Sequence, residues 1–147
     1  MVDILIDGDN MSENDPMTNI KLIMSEMLEL EQKSKKFVSI LSEGESLSQN
    51  QLVLLLQLEI NEGMKAAEIA NFFNVTPGAV TSMCDKLEKQ SLVQRVRENE
   101  DRRVVKMVLT KAGKDKVHDI FLKFPQEKLS NMAKVLTDVN KLMSRIF

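Results

Sequence analysis

A chain of 147 residues, 43% hydrophobic and 29% charged, is long enough to bury one sizeable core, and its longest strictly apolar run, Leu52 to Leu56, is far short of a membrane span. One cysteine and one histidine exclude an intrachain disulfide and argue against a structural zinc site, and without a nucleophile–base set or a glycine-rich phosphate loop neither an enzyme nor a bound cofactor is expected. The net charge of −2 hides an uneven distribution: residues 1–63 carry −8, residues 64–116 carry +4 and residues 117–147 carry +2.

Residues 1–16 are acidic, include Gly8, Asn10 and Pro16, and show no sustained helical period, so they read as a flexible arm. Asp3, Asp7 and Asp9 with no early Lys or Arg do not resemble a secretory signal, and a cytoplasmic location is expected. Val2, Ile4, Leu5 and Ile6 form an apolar cluster able to pair or pack on a partner. Residues 17–147 are expected to form a single domain.

Thr18 to Leu41 fits a long helix, with Ile20, Ile23, Met24, Met27 and Leu28 at spacings of three and four and Phe37, Val38 and Leu41 resuming the stripe after Lys33–Lys36. Either its own domain or a second subunit must cover that stripe. Glu43–Ser46 is a break. Ser48 with Gln51 makes a capping box before Leu52–Leu58, and Asn61-Glu-Gly63 ends that helix. Ala66 to Phe73 is a short helix with Ile69, Ala70 and Phe73 turned inward, and Asn74 is the turn residue.

Thr76-Pro77 is the sharpest local signal: a cap followed by a proline whose missing N–H would be unpaired anyway. Val80, Cys84 and Leu87 then face the core, which makes Cys84 an inert buried thiol rather than a sensor. The opposite face carries Gly78, Ala79, Thr81, Ser82, Asp85, Lys86 and Lys89, small and polar near its start, as a surface approaching base edges needs to be. Leu92–Arg97 and Val104–Leu109 are strand-like and Glu98–Arg103 joins them. Thr110 caps a helix that runs through Val117, Ile120, Phe121 and Phe124. Pro125 interrupts it, and Thr137-Asp138 resembles a further cap. His118 falls among charged residues and reads as a surface group.

A helix-turn-helix followed by a strand pair with arginines at its tip fits DNA, one helix entering the major groove while the hairpin reaches a minor groove. The fold class is therefore α+β, mostly α: a winged helix-turn-helix over residues 47–110, flanked by helices at 17–42 and 111–147. The basic excess falls on this same unit. Thr81, Ser82 and Lys86 can reach bases or phosphates, Arg97 and Arg102 phosphates. Arg95 either touches phosphate or pairs with acids inside the domain.

In order, Leu47-Ser48-x-x-Gln51, Glu68-Ile69-Ala70, Thr76, Val80-Thr81, Asp85-x-Leu87-Glu88, Leu92-Val93-x-Arg95, Asp101-x-Arg103 and Leu109-Thr110-x-x-Gly113 resemble the pattern of the MarR (multiple-antibiotic-resistance-regulator) family. The resemblance implies a homodimeric transcriptional repressor on a pseudo-palindromic operator in double-stranded DNA, with the flanking helices forming the dimer and a small-molecule effector changing the separation of the recognition helices. It implies that Arg103 enters the minor groove with Asp101 orienting it. Three departures stand out: Ser91 where the family has Gly, Lys65 in place of a Thr or Ser cap, and a shorter C-terminal region, which implies a reduced or rearranged dimer surface. The rival reading is a winged-helix protein–protein module that uses the acidic N-terminal half.

Overall fold

The computed structural model describes residues 15–97 and 104–147. Asp101, Arg102 and Arg103, expected at the hairpin tip, lie outside the described residues, as does most of the expected N-terminal arm. The chain divides into two compact units, residues 1–37 and 38–147.

Helix α1, Pro16–Ser42, supplies the described part of the first unit. It starts two residues before the expected Thr18. The Asp15 carboxylate accepts from the Thr18 amide and hydroxyl, both at 3.1 Å, and Pro16 takes the first helical position. Exposed pairs Glu29–Lys33 (2.6 Å) and Glu31–Lys35 (2.7 Å) carry the helix through the polar interruption of its stripe. Met17, Ile20, Ile23, Met24, Met27 and Leu28 are all more than half exposed.

In the second unit, α2 (Gln49–Ile60) is followed by β1 (Met64–Lys65), α3 (Ala66–Phe73), α4 (Pro77–Lys89), β2 (Val93–Arg97), β3 (Val105–Leu109), α5 (Lys111–Leu122) and α6 (Gln126–Met143). The capping box at Ser48 is formed: its hydroxyl accepts from the Gln51 backbone amide at 3.3 Å, and the Gln51 side-chain Oε1 accepts from the Ser48 backbone amide at 2.9 Å. Strand order is β1-β3-β2, antiparallel throughout, with Met64 opposite Met107 and Val93 opposite Leu109. This is the expected winged helix with one addition, since sequence reading did not find β1. At Gly63 the chain turns into β1 with φ +104, and a Cβ there would sit 2.9 Å from the Met107 carbonyl oxygen, so only glycine fits.

The core includes Leu41, Leu52, Leu54, Leu55, Leu58, Ile69, Val80, Leu87, Val93 and Ile120, none more than 1% exposed. Each such side chain contributes roughly 1.5–3 kcal/mol by leaving water. Glu45, before α2, accepts from Lys116 of α5 and from Lys123 just after it, and its side chain is only 8% exposed. Those ammonium groups hold its carboxyl below the usual carboxylate range. Thr110 caps α5 as expected, accepting from the Gly113 amide at 3.0 Å. The expected cap at Thr137-Asp138 is not formed: α6 runs unbroken through it. Thr and Asp at exposed interior helix positions cost under about 1 kcal/mol each, too little to stop a helix whose apolar stripe continues on both sides.

Ser91, after α4, has φ +59. The departure from glycine therefore leaves the left-handed turn in place and strains it instead. An L-residue other than Asn pays roughly 1–2 kcal/mol there. Ser91→Gly is expected to raise stability by about 1 kcal/mol, read as a higher urea midpoint with unchanged slope.

Candidate nucleic-acid interface

Helix α4 is delimited at both ends by local hydrogen bonding. At its start the Thr76 hydroxyl accepts from the Ala79 amide at 3.3 Å and Pro77 follows at the first turn. Before it, Asn74 is left-handed (φ 52, ψ 50), and the Val75 amide reaches back to the Ala70 carbonyl at 3.1 Å. After it, the Ser91 amide donates to Glu88 (2.9 Å) and the Leu92 amide to Leu87 (3.1 Å), the paired bonds of a Schellman closure. Lys65, which replaces a capping residue before α3, is extended (φ −76, ψ 154), and its amide donates to the Glu68 carboxylate at 2.6 Å. Half of a capping box thus survives without the side-chain cap.

Val80, Cys84 and Leu87 are buried and hold α4 to the core. At 100° per residue the opposite side carries Gly78, Ala79, Thr81, Ser82, Lys86 and Lys89, all exposed. A Cβ on Gly78 would meet nothing within 4 Å, so packing gives no reason for the missing side chain. The Thr81 hydroxyl donates to the Pro77 carbonyl at 3.1 Å on the exposed side of the helix. Arg97, at the end of β2, is exposed as well.

Arg95 resolves to the second of its two alternatives. Its Nη2 donates to Asp85 Oδ1 at 2.5 Å and its Nη1 to Glu88 Oε2, so one guanidinium ties two carboxylates of α4 to β2. Its pKa is raised, first by the hydrogen bond to Asp85. Sequence alone carried no signal for this choice, because it depends on how the sheet packs against α4.

Behind α4 lies a cavity of about 100 Å³ lined by Ile69, Val80, Cys84, Arg95 and Met107 among others. Burial pushes the Cys84 thiol up, which disfavours its thiolate. Among the described residues no cluster of His, Cys, Asp or Glu is placed to hold a metal ion, and no helix is long and apolar enough to cross a membrane.

The model of the MarR family matches residues 47–105. The chain is 36% identical over 78 residues, 53% of its length, to the HTH-type transcriptional repressor MdtR of Bacillus subtilis (strain 168). It is 31% identical over 100 residues, 68% of its length, to the HTH-type transcriptional regulator SarZ of Staphylococcus saprophyticus. These matches span 50% and 62% of the two relatives, so the chain covers little more than half their length. The crystal structure of the transcriptional regulator BldR from Sulfolobus solfataricus superposes with a TM-score of 0.62 at 28% identity, covering 89% of this chain and 99% of that one. A family match laid over the helix-turn-helix and the first wing strand, together with that shared winged-helix fold, gives residues 47–105 as a winged helix-turn-helix of the MarR family type.

Proposed function

We propose that the protein is a DNA-binding transcriptional repressor that grips a pseudo-palindromic operator as a homodimer. The observation that carries this reading is the outer side of α4. Gly78, Ala79, Thr81, Ser82 and Lys86 share one exposed, small and polar face on a helix fixed at both ends. Such a face enters a major groove without a steric barrier. Support comes from the relatives, since MdtR is named a transcriptional repressor and SarZ a transcriptional regulator. The apolar faces left exposed on α1 and, around Leu136, Val139, Leu142 and Met143, on α6 favour a second copy as their cover. An effector would act by altering the spacing of the two recognition helices, and ten methionines per chain give adaptable apolar surface for one.

Selection of bound duplexes from a random-sequence pool tests the proposal. It should enrich two inverted half-sites about 10 base pairs apart, centre to centre. No enrichment, or a stable monomer by sedimentation, would sink it and leave the protein–protein module standing.

In this reading Arg103 and Asp101 form the wing contact, and Arg97 and Arg102 touch phosphate. Arg103→Ala should weaken binding to every sequence. Each neutralised phosphate adds roughly 0.9 to the log–log salt slope, so the mutant dimer should show a slope shallower by up to about 2. A salt titration with unchanged slope and affinity would place Arg103 in solvent.

Gly78→Ala separates reading from folding. Its Cβ enters open space, and Ala is the better helix former by up to about 1 kcal/mol, so the melting temperature should hold or rise. Affinity for the selected duplex should nevertheless fall, on the order of tenfold, equivalent to about 1.4 kcal/mol of lost contact. Equal affinity would mean that this turn of α4 stands off the DNA.

A further inference from the structure

The clamp at Arg95 has no role in the contacts assigned so far, yet it sits beside them. Asp85 follows Ser82 by three residues and precedes Lys89 by four, and Glu88 lies between Lys86 and Lys89 in position along the helix. An acid four residues before a lysine is the favourable helical pairing. Left to itself, Asp85 would turn toward Lys89 and spend that charge. In the structure it turns the other way: the carboxylates of Asp85 and Glu88 both go to Arg95 on β2, Asp85 at 2.5 Å.

The charges bear on DNA directly. Asp85, Lys86, Glu88, Lys89 and Arg95 together carry +1. Without Arg95 the same patch is neutral and its two carboxylates are unanchored. With Asp85 and Glu88 neutralised and Arg95 kept, it is +3. Phosphate repels unpaired carboxylates within a screening length of about 10 Å at 0.1 M salt, so the difference is felt at the interface.

We propose that Arg95 is a positioning residue for DNA binding, which bridges Asp85 and Glu88 and so holds two carboxylates of the recognition helix away from the phosphates and from Lys86 and Lys89. The inference rests on the regulator reading above. Arg95 touches no DNA in this account and acts through the two acids it restrains. The same bridge ties α4 to the first strand of the wing, so the helix and the hairpin are presented to DNA as one piece.

The test compares four full-length proteins on a duplex that the wild type enriches from a random pool, across a salt series, with melting temperatures recorded alongside. Arg95→Gln should bind at least about tenfold more weakly than wild type near 0.1 M salt, with the gap narrowing as salt rises. Asp85→Asn combined with Glu88→Gln, in the presence of Arg95, should bind more tightly than wild type and with a steeper salt slope. A misfolded protein does not produce that gain. Adding Arg95→Gln to that pair should restore binding to within about threefold of wild type. A triple variant as weak as Arg95→Gln would mean that Arg95 contacts phosphate itself and would overturn the proposal. An Arg95→Gln protein that binds like wild type, or a paired Asn/Gln variant that binds no more tightly, would overturn it too. A wild type that retains no duplex even at low salt removes the regulator reading and this inference together, whereas the other failures leave the regulator reading intact.

Discussion

Gly113→Ala is expected to destabilise the protein by about 3 kcal/mol, at the upper end of overpacking effects. Gly113 is in the first turn of α5, where the chain crosses the start of β2. A Cβ there would lie 2.0 Å from the Leu92 carbonyl oxygen, 3.0 Å from its carbon and 3.3 Å from a Leu109 methyl. The obstacle is backbone, and it is held: the Leu92 carbonyl accepts from the Thr110 amide at 3.1 Å, and the Thr110 hydroxyl donates to the Ser91 carbonyl at 2.6 Å. A side chain could rotate away. This carbonyl can move only by taking the hairpin base or the helix start with it. For a protein of this size the loss corresponds to a melting temperature lower by roughly 10 °C, measurable by circular dichroism. An unshifted melt would show that α5 has slack at this crossing.

Leu87→Ala should cost about 3–4 kcal/mol, since Leu87 is fully buried and a Leu-to-Ala change in a core loses both transfer energy and packing around the cavity left behind. The site has a second function. Its carbonyl accepts from the Leu92 amide in the closure of α4, so a side chain that no longer fills the core loosens the residue that sets where the helix stops. Ser82→Ala, on the exposed side of the same helix, should stay within about 0.5 kcal/mol of wild type. Urea midpoints of the two variants give the comparison directly. A similar small loss in both would mean that α4 is held by something other than its apolar side.

What the sequence disclosed was mostly local. Ser48 with Gln51, Thr76 with Pro77, and Thr110 each act within four residues, and each was readable because the partner is the chain's own next turn. The same grammar also misled. Asp15 with Pro16 starts α1 but was hidden by an expectation of a flexible arm, and Thr137-Asp138 offered a start where the helix never stopped. Strand β1 has two residues and no pattern of its own; it exists because Met64 and Lys65 come to lie opposite Met107 and Lys106, more than forty residues later. Arg95 is the same case for charge, since its partners are fixed only once β2 packs against α4. Gly113 was legible as part of a familiar pattern, but its reason is a carbonyl twenty-one residues earlier. Of the expected contact residues, those on α4 and Arg97 are exposed as their spacing requires.

Gly78 carries a consequence for how such a protein diverges. The space beyond it is open, and the side chains that decide whether the unit folds, Leu87 and the backbone at Gly113 among them, lie elsewhere. Changes on the outer side of α4 are therefore nearly invisible to the fold. If α4 reads DNA as proposed, a duplicated copy can acquire a new target by one or two substitutions there with little loss of stability and no compensating changes in the core. On that reading, descendants of this chain should lose agreement over what they read long before they lose agreement over how they are built.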